Sequence, residues 1–393
     1  MACVISSKNG DKSSISIKPL QPVPVKIPNS TTLSAHKSVF FIISFLFFSS
    51  CQEKEITRES GSCLKSEFSR TLRYNDLILG IPPDEISALT QRPNELGALG
   101  RNKNGYFHVR FQLEMTRLTD YAIAFENEEA LSEYLKNLNY SFLHQNPTGD
   151  FRFKAPEYLL NDPDHQPPSD ANLASGTAFF AYSLGLSLNS LRQSDWYANS
   201  NALGSLRTDI ESLNPNFLTM LAYLKRSVNL LETADAKAPN RLLFNAIAFY
   251  SLGIYLNDQE AKTIGLHFAN SALSQRNATD GYFIESGGWD SSYNGVAIKL
   301  GFELFTLVSE DAIKNELEKI ISCAADWQKS RILPTGEIST EGNTRVFTGG
   351  EVFLGAEKGV DVIKTVKAFF YMNTLSNKTD FELLAQRIIE HYK

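Results

Sequence analysis

The segment LASGTAFFAYSLGLSLNSLR, residues 173–192, decides the class of fold that this sequence predicts. Its small and apolar side chains surround the whole helix, which is typical of an inner helix covered on both sides. The segment DYAIAFENEEALSEYLKN, residues 120–137, differs, because its apolar side chains recur at helical spacing on one face. Those side chains are Tyr121, Ile123, Ala124, Leu131, Tyr134 and Leu135. The sequence therefore predicts inner helices paired with amphipathic outer helices.

Helical patterns continue to the end of the chain. Further helices are predicted at 204–231, 241–256, 259–274, 292–308, 310–330, 359–375 and 378–391. Asn257-Asp258, Ser309-Glu310 and Ser376-Asn377 supply polar breaks between them. Alternation typical of a strand is confined to FHVRFQLEM at 107–115 and, more weakly, PTGDFRF at 147–153. The pattern favours an all-α fold over an all-β or doubly wound one.

Similar joints separate the predicted helix pairs. LHQNPTGDFRF at 143–153, LSQRNATDGYFIE at 273–285 and SRILPTGEISTE at 330–341 each combine Thr, Gly and Asp or Glu before an extended stretch. A shorter joint, LETADAKAPN, ends another pair at 231–240. Repeated helical hairpins form either an open solenoid or a closed ring. The doubly covered inner helices favour an α/α toroid over residues 115–393, as a complete or incomplete ring with a few short strands in its loops.

This layout of hairpins resembles the α/α toroids of bacterial polysaccharide lyases, glycoside hydrolases and terpenoid cyclases. The resemblance is one of architecture and covers roughly residues 115–393. It implies that the long joints lie at one end of the ring, around a cleft.

The N-terminal region has the pattern of a targeting signal. VFFIISFLFF at 39–48 is too short to span a bilayer and follows Lys37, as in a secretory signal. Ser49-Ser50-Cys51 resembles the lipobox of bacterial lipoproteins, and the following Gln52-Glu53-Lys54-Glu55 resembles the surface-export signal of Bacteroidetes lipoproteins. The resemblance implies a chain acylated on Cys51 and anchored to the cell envelope, at the outer membrane or in the periplasm. An ordinary signal peptide with an incidental cysteine, or a buried core segment, is the alternative.

The same features divide the chain. Residues 1–50 are predicted to be a signal segment. Its N-terminal extension, residues 1–32, is interpreted as a gene-calling artefact, because the true start of the protein is expected near Leu33. Residues 51–114 form a lead-in after the lipidated cysteine, and residues 115–393 form the toroid.

The charge and the cysteine and histidine content argue against certain partners and cofactors. The net charge of −6 gives no basic stripe for nucleic acid, and none is expected as a partner. Four cysteines and six histidines show no spacing typical of a metal site, so neither a metal nor another cofactor is expected. Cys323 is interpreted as a small core residue on a helix.

Two segments are candidates for a catalytic or substrate-binding site. TDGYFIESGGWDSSYNGV at 279–296 joins acidic, aromatic and glycine residues, and LPTGEISTEGNTRVFTGGE at 333–351 is longer than a connection needs. The predicted catalytic residues are Asp290, Tyr293, Glu341 and Arg345. The predicted substrate-binding residues are Trp289, Glu285, Asn294, Asn343 and Glu351. The alternative is that Asp290 and Ser291 cap the following helix while Trp289 and Tyr293 pack against it, and that 333–351 is a plain surface hairpin.

If both segments face one cleft, two reactions fit. In a lyase, Tyr293 would act as base and acid, while Asn294, Asn343 or Arg345 neutralise a uronate carboxylate. In a hydrolase, Asp290 with Glu341, or Glu285 with Glu351, would flank the glycosidic bond. The sequence therefore predicts an envelope lipoprotein that acts on or binds a polysaccharide. The alternative is a non-catalytic lipoprotein that binds a glycan or a protein, and a scaffold without a ligand is a third interpretation.

Overall fold

The computed structural model describes residues 67–156, 160, 167–353 and 356–393. This part of the chain is all-α, as the sequence predicts. Its helices are α1 (Tyr74–Leu79), α2 (Pro83–Leu89), α3 (Thr116–Phe125), α4 (Glu128–Phe142), α5 (Asp170–Gln193), α6 (Asp195–Asn199), α7 (Gly204–Glu211), α8 (Asn214–Arg226), α9 (Val228–Asp235), α10 (Pro239–Tyr255), α11 (Gln259–Leu273), α12 (Ser291–Leu307), α13 (Asp311–Lys329), α14 (Val362–Ser376) and α15 (Thr379–Tyr392). Three 3₁₀-helices are η1 (Gly100–Asn104), η2 (Val109–Met115) and η3 (Asn201–Leu203). A small antiparallel hairpin joins β1 (Val352–Phe353) to β2 (Ala356–Glu357).

Six inner helices contact one another in cyclic order. α1 packs on α3, α3 on α5, α5 on α10, α10 on α12, α12 on α14, and α14 returns to α1. α5, α10 and α12 are buried along nearly their whole length, which is why small and apolar residues occupy all their sides. A closed ring requires this cyclic order, and the toroid is our interpretation of it.

Outer helices cover the inner ones. α4 packs on α3, α9 on α5, α11 on α10, α13 on α12 and α15 on α14, so most outer helices cover the inner helix that precedes them. α2 packs on α3. α1 and α2 precede residue 115, yet they contact the same set of helices as the later hairpins.

Among the residues that the structure describes, four turns of the same design follow outer helices. In each, the first residue donates its N–H to the carbonyl four or five residues later: Asn94 to Ala98, Asn146 to Asp150, Asn277 to Tyr282, and Leu333 to Glu337. Their glycines at 97, 149, 281 and 336 all have φ between 86° and 95°. A Cβ at Gly336 would lie 2.2 Å from the Arg387 carbonyl oxygen of α15, so only glycine fits this close approach. The sequence revealed three of these turns, and the turn at 94–98 is the fourth.

The strand predicted at 107–115 is wrong. Val109–Met115 is the 3₁₀-helix η2, and only Phe107 makes an isolated bridge, to Lys154. The side chain of His108 accepts the Arg110 N–H and starts the helical turn. η2 packs on α5 and α3, so its apolar residues face helices rather than a sheet.

The single helix predicted at 120–137 is also wrong. α3 ends at Phe125, and Glu126 adopts a left-handed conformation with φ of 49°. Asn127 then caps α4 by accepting the Ala130 N–H. The polar Glu126-Asn127 pair therefore turns one apparent helix into an inner and an outer one. The helix predicted at 204–231 is likewise divided, into α7, α8 and α9.

Buried ion pairs fill the space between the inner helices. Lys299 and Glu303 of α12 lie 2.6 Å apart, and the Tyr182 hydroxyl of α5 donates to Glu303 at 2.8 Å. Lys367 of α14 pairs with Asp120 of α3 at 2.8 Å. Burial lowers the pKa of the Lys299 ammonium and raises the pKa of the Glu303 carboxyl. Each charge is therefore held by a partner on the same or a facing helix.

Cys323 on α13 is disulfide-bonded, which corrects its interpretation as a simple core residue. The other three cysteines, including Cys51, lie outside the described residues, and so does the apolar segment at 39–48. Within the described ranges, no helix has the length and apolar character needed to cross a bilayer.

Candidate functional site

Residues 280–294 and 333–351 meet at the start of α12, where Asp290 is the N-cap. One carboxylate oxygen accepts the N–H groups of Ser292 and Tyr293, both at 3.1 Å. The other accepts those of Arg345 and Val346, at 3.0 and 2.8 Å. The side chain is 0% exposed. Because a carboxylate offers about four acceptor positions, this arrangement occupies them all and gives Asp290 a positioning role.

The helix cap therefore determines where the second segment lies. Thr344 donates its N–H to the Trp289 carbonyl oxygen at 3.0 Å, which adds a further link between the two segments. Burial raises the pKa of the Asp290 carboxyl, and the four N–H groups oppose that shift. The capping alternative for Asp290 is thus what the contacts describe.

Arg345 joins two carboxylates. Its guanidinium forms ion pairs with Glu285 and, at 2.9 Å, with Glu351. It also lies over the ring of Tyr293, 4.4 Å from the centroid. Burial raises the pKa of the Glu285 carboxyl even though Arg345 opposes the shift. The guanidinium thereby holds side chains from both segments in one cluster.

Tyr293 lies between an acid and a base. Its hydroxyl donates to Glu351 at 2.7 Å, and the Lys358 ammonium donates to the same hydroxyl oxygen. Burial and the hydrogen bond to Glu351 raise the pKa of Tyr293 well above its ordinary value. The phenol is therefore protonated at neutral pH, with two titratable groups in direct contact.

The pKa values of both partners of Tyr293, Lys358 and Glu351, are lowered. Burial lowers the pKa of Lys358, and the charges of Arg345 and Arg110 add to this, although Glu351 opposes it. Burial alone would raise the pKa of Glu351, but Tyr293, Lys358 and Arg345 together lower it. The cluster thus pairs a stable carboxylate with an ammonium that loses its proton more easily than an ordinary lysine.

This cluster opens into a cavity of about 410 Å³. The cavity lies where several inner helices begin. Its lining residues are Gln91, Gly100, Arg101, Arg110, Phe111, Leu113, Glu114, Phe179, Asn240, Arg241, Phe244, Tyr293, Val296, Glu351, Lys358, Asp361 and Lys364. Side chains from at least three joints therefore converge on a single concave space.

Cations outnumber carboxylates in this lining. Five are Arg or Lys and three are Asp or Glu. All three carboxylates are ion-paired: Asp361 with Lys364 at 2.6 Å, Glu114 with Arg117 at 2.6 Å, and Glu351 with Arg345 at 2.9 Å. Burial and the neighbouring Arg241 lower the pKa of Arg110 to about 10. The cavity is thus a positively charged environment that would favour an anion.

Seven of the nine predicted site residues do not line the cavity: Asp290, Glu285 and Arg345, described above, and Trp289, Glu341, Asn294 and Asn343. Asn294 accepts the Phe283 N–H and donates to Ala324 and Gln328, which ties α12 to a joint and to α13. Asn343 is bonded to Ser291 and Val346. Trp289 is 37% exposed and its indole N–H reaches the backbone of Glu341, whose side chain is exposed. Of the predicted site residues, Tyr293 and Glu351 line the cavity directly.

Sequence reasoning missed most of the cationic lining. Arg110 lies in the stretch misread as a strand, and Lys358 follows the second segment. Asn240-Arg241 lies at the start of the helix predicted at 241–256, a position from which a side chain can project into a cleft, and both residues are in the lining. Among the described residues, no group of three His, Cys, Asp or Glu could hold a metal ion. The chain matches no model of a known protein family and no curated protein sequence.

Proposed function

We propose that this protein is an envelope lipoprotein that binds an acidic polysaccharide in the cavity and cleaves it by β-elimination. The observation that carries the proposal is Tyr293, held between Glu351 and Lys358 in a cavity whose lining also includes Arg110 and Arg241. A uronate carboxylate requires cationic neutralisation before the neighbouring proton becomes acidic. The toroid architecture agrees with this function by resemblance.

The roles follow from the contacts. Arg110 and Arg241 hold the uronate carboxylate, and the N-terminal ends of α10, α12 and α14 add to the positive potential. The neutral amine of Lys358 removes the proton α to the carboxylate. The carbon–oxygen bond to the leaving sugar breaks as the carbon–carbon double bond forms, and Tyr293 donates its proton to the leaving oxygen. The hydrogen bond between Lys358 and Tyr293 then returns the proton, so both groups are restored.

Hydrolysis by the predicted carboxylate pairs has less support. Asp290 is saturated by backbone N–H groups, while the Glu341 side chain is exposed outside the cavity lining. Glu285 and Glu351 are both ion-paired to the same Arg345. Neither pair presents an acid and a free base to a bond lying between them.

An envelope address is supported by two separate features. The apolar segment at 39–48 is followed, after Ser49-Ser50, by Cys51, the expected site of acylation. Cys323 is disulfide-bonded, and disulfides persist mainly in oxidising compartments such as the bacterial periplasm or cell surface. Radiolabelled fatty-acid incorporation into the wild type but not into Cys51→Ser is the expected result.

The test is turnover of uronate-containing polysaccharides, followed by the ultraviolet absorbance of the unsaturated product. Tyr293→Phe should reduce turnover by roughly 10²-fold or more. The matched control is Tyr250→Phe, because the Tyr250 hydroxyl also donates to a glutamate, Glu310, at 2.7 Å but lies outside the cavity lining. Unchanged turnover in Tyr293→Phe would overturn the mechanism. Binding of the polymer without any product would instead identify a non-catalytic glycan-binding protein.

A further inference from the structure

A second, larger cavity lies outside the candidate site. It is an open groove of about 810 Å³ between α4, the turn at 94–98 and the residues following η1. Its lining residues are Asn94, Leu96, Asn102, Lys103, Gly105, Tyr106, Phe107, Ser132, Leu135, Lys136, Asn139, Tyr140, Leu143, His144 and Lys154. This volume is in the range of sites that bind small organic ligands.

The groove is predominantly apolar. Phe107 stacks on His144 with ring centroids 3.9 Å apart, and Tyr140 packs against both rings. Leu96 and Leu143 are 72% and 73% exposed. Single exposed leucines are common on protein surfaces, but here two of the most exposed ones line the same groove. Such a surface favours a ligand with an apolar chain.

The side chains that give the groove its charge are lysines. Three lysines line it, and no carboxylate is among the lining residues in the described part of the chain. The Lys103 ammonium already donates to the Arg92 carbonyl oxygen at 2.7 Å. Lys136 and Lys154 are therefore the groups placed to meet a ligand. Glu95 is next to Leu96 in sequence but does not line the groove.

We propose that this groove binds a long-chain carboxylate amphiphile. Its chain lies along Leu96, Leu143 and the half-buried Tyr140 ring, and its carboxylate pairs with Lys136 and Lys154 by charge-assisted hydrogen bonds. The site is separate from the polysaccharide cavity, since η1 contributes Gly100 and Arg101 to the cavity but Asn102 and Lys103 to the groove. The proposal therefore does not depend on the proposed lyase activity.

The experiment is calorimetric titration of the full-length chain with decanoate, below its micellar concentration, and with decanol. We expect decanoate to bind more tightly than decanol. The double variant Lys136→Ala/Lys154→Ala should lose roughly tenfold or more of the decanoate affinity and little of the decanol affinity. Leu143→Glu should weaken decanoate binding, whereas Leu383→Glu, at a 60% exposed leucine on α15, should not.

Several results would overturn this proposal. Equal affinity for decanoate and decanol would remove the role of the lysines, and no heat of binding with either probe would remove the site. Sedimentation of the unacylated Cys51→Ser chain with anionic phosphatidylglycerol vesicles, combined with no decanoate binding, would identify a membrane-docking surface instead. Displacement of decanoate by uronate oligosaccharides would assign the groove to the glycan. Tyr293→Phe should leave decanoate binding unchanged, so failure of the lyase mechanism and failure of this site are distinguishable.

Discussion

At the scale of single residues, Asp290 shows how one side chain positions a site without entering it. Its carboxylate links the first turn of α12 to Arg345 and Val346, more than fifty residues later. Through that link it determines where the Arg345 guanidinium meets Tyr293. A capping residue and a site residue therefore differ by what they touch, and the sequence pattern is the same for both.

Asp290→Asn should destabilise the fold by roughly 1–3 kcal/mol, because an amide has one acceptor oxygen for four N–H donors. Chemical unfolding measures this change. The control is Asp258→Asn at the N-cap of α11, where the side chain accepts the Ala261 N–H and asparagine caps as well as aspartate. Only the partly exposed ion pair with Lys225 is lost there, so the expected loss is about 1 kcal/mol or less. If Asp290→Asn kept full stability but abolished turnover, a catalytic role would replace the positioning role.

The pH dependence of turnover tests the role of Lys358. Its pKa is lowered by burial, so the neutral amine that acts as base becomes populated below the pH expected of an ordinary lysine. Turnover should therefore rise with pH until Lys358 is deprotonated, and the rise should occur below the usual lysine range. Lys358→Arg keeps the positive charge but cannot lose a proton, so kcat should fall while KM changes little. An unchanged pH profile in this variant would contradict the assignment.

At the scale of elements, the joints between helices carry a recurring turn. The glycine of each such turn packs against a following outer helix in the chain. The turn therefore sets the distance between neighbouring hairpins as well as reversing the chain. This explains why glycine recurs at the same place in joints that otherwise differ.

Gly336→Ala should be more destabilising than Gly349→Ala. Both residues have positive φ, of 92° and 81°, so each alanine costs about 1–2 kcal/mol of backbone strain. Only at Gly336 does the new Cβ collide with a neighbour, the Arg387 carbonyl oxygen; at Gly349 nothing lies within 4 Å. Thermal unfolding of the two variants should differ by roughly 1–3 kcal/mol. Equal losses would show that the contact with α15 does not matter.

At the scale of the whole described unit, our interpretation of the inner helices as a ring depends on contacts of α3 with α1 and α14. Asp120 of α3 accepts hydrogen bonds from Tyr74 of α1 and from Lys367 of α14. Both partners are buried, so the pair is shielded from water and each charge needs the other.

A double-mutant cycle on Asp120 and Lys367 tests this closure. Lys367→Met alone should cost roughly 3–5 kcal/mol, since it leaves a buried carboxylate unpaired. The coupling energy with Asp120→Asn should be clearly favourable, in the range of about 0.5–3 kcal/mol. The control pair is Lys329 and Asp380, which is about half exposed and should couple by about 1 kcal/mol or less. A coupling near zero for Asp120 and Lys367 would favour an open solenoid.

The sequence alone determined the helical class, the approximate boundaries of α5 and of α10 to α15, the polar breaks between these later helices and the glycines of three joints. These features depend on neighbours within a few residues, so spacing and composition suffice to predict them. The same local reasoning failed at 107–115, where apolar alternation arose from packing against two helices rather than from a sheet.

Only the tertiary structure decided which residues form the candidate site. Arg110, Arg241, Tyr293 and Lys358 are far apart in sequence and face one cavity because η2 and the starts of α10 and α12 are brought together by helix packing. The tertiary structure also gives two adjacent residues different roles. Tyr293 lines that cavity, whereas the side chain of Asn294 is used in packing. Such distinctions depend on which direction a helix start faces, and that direction is set by contacts with distant helices.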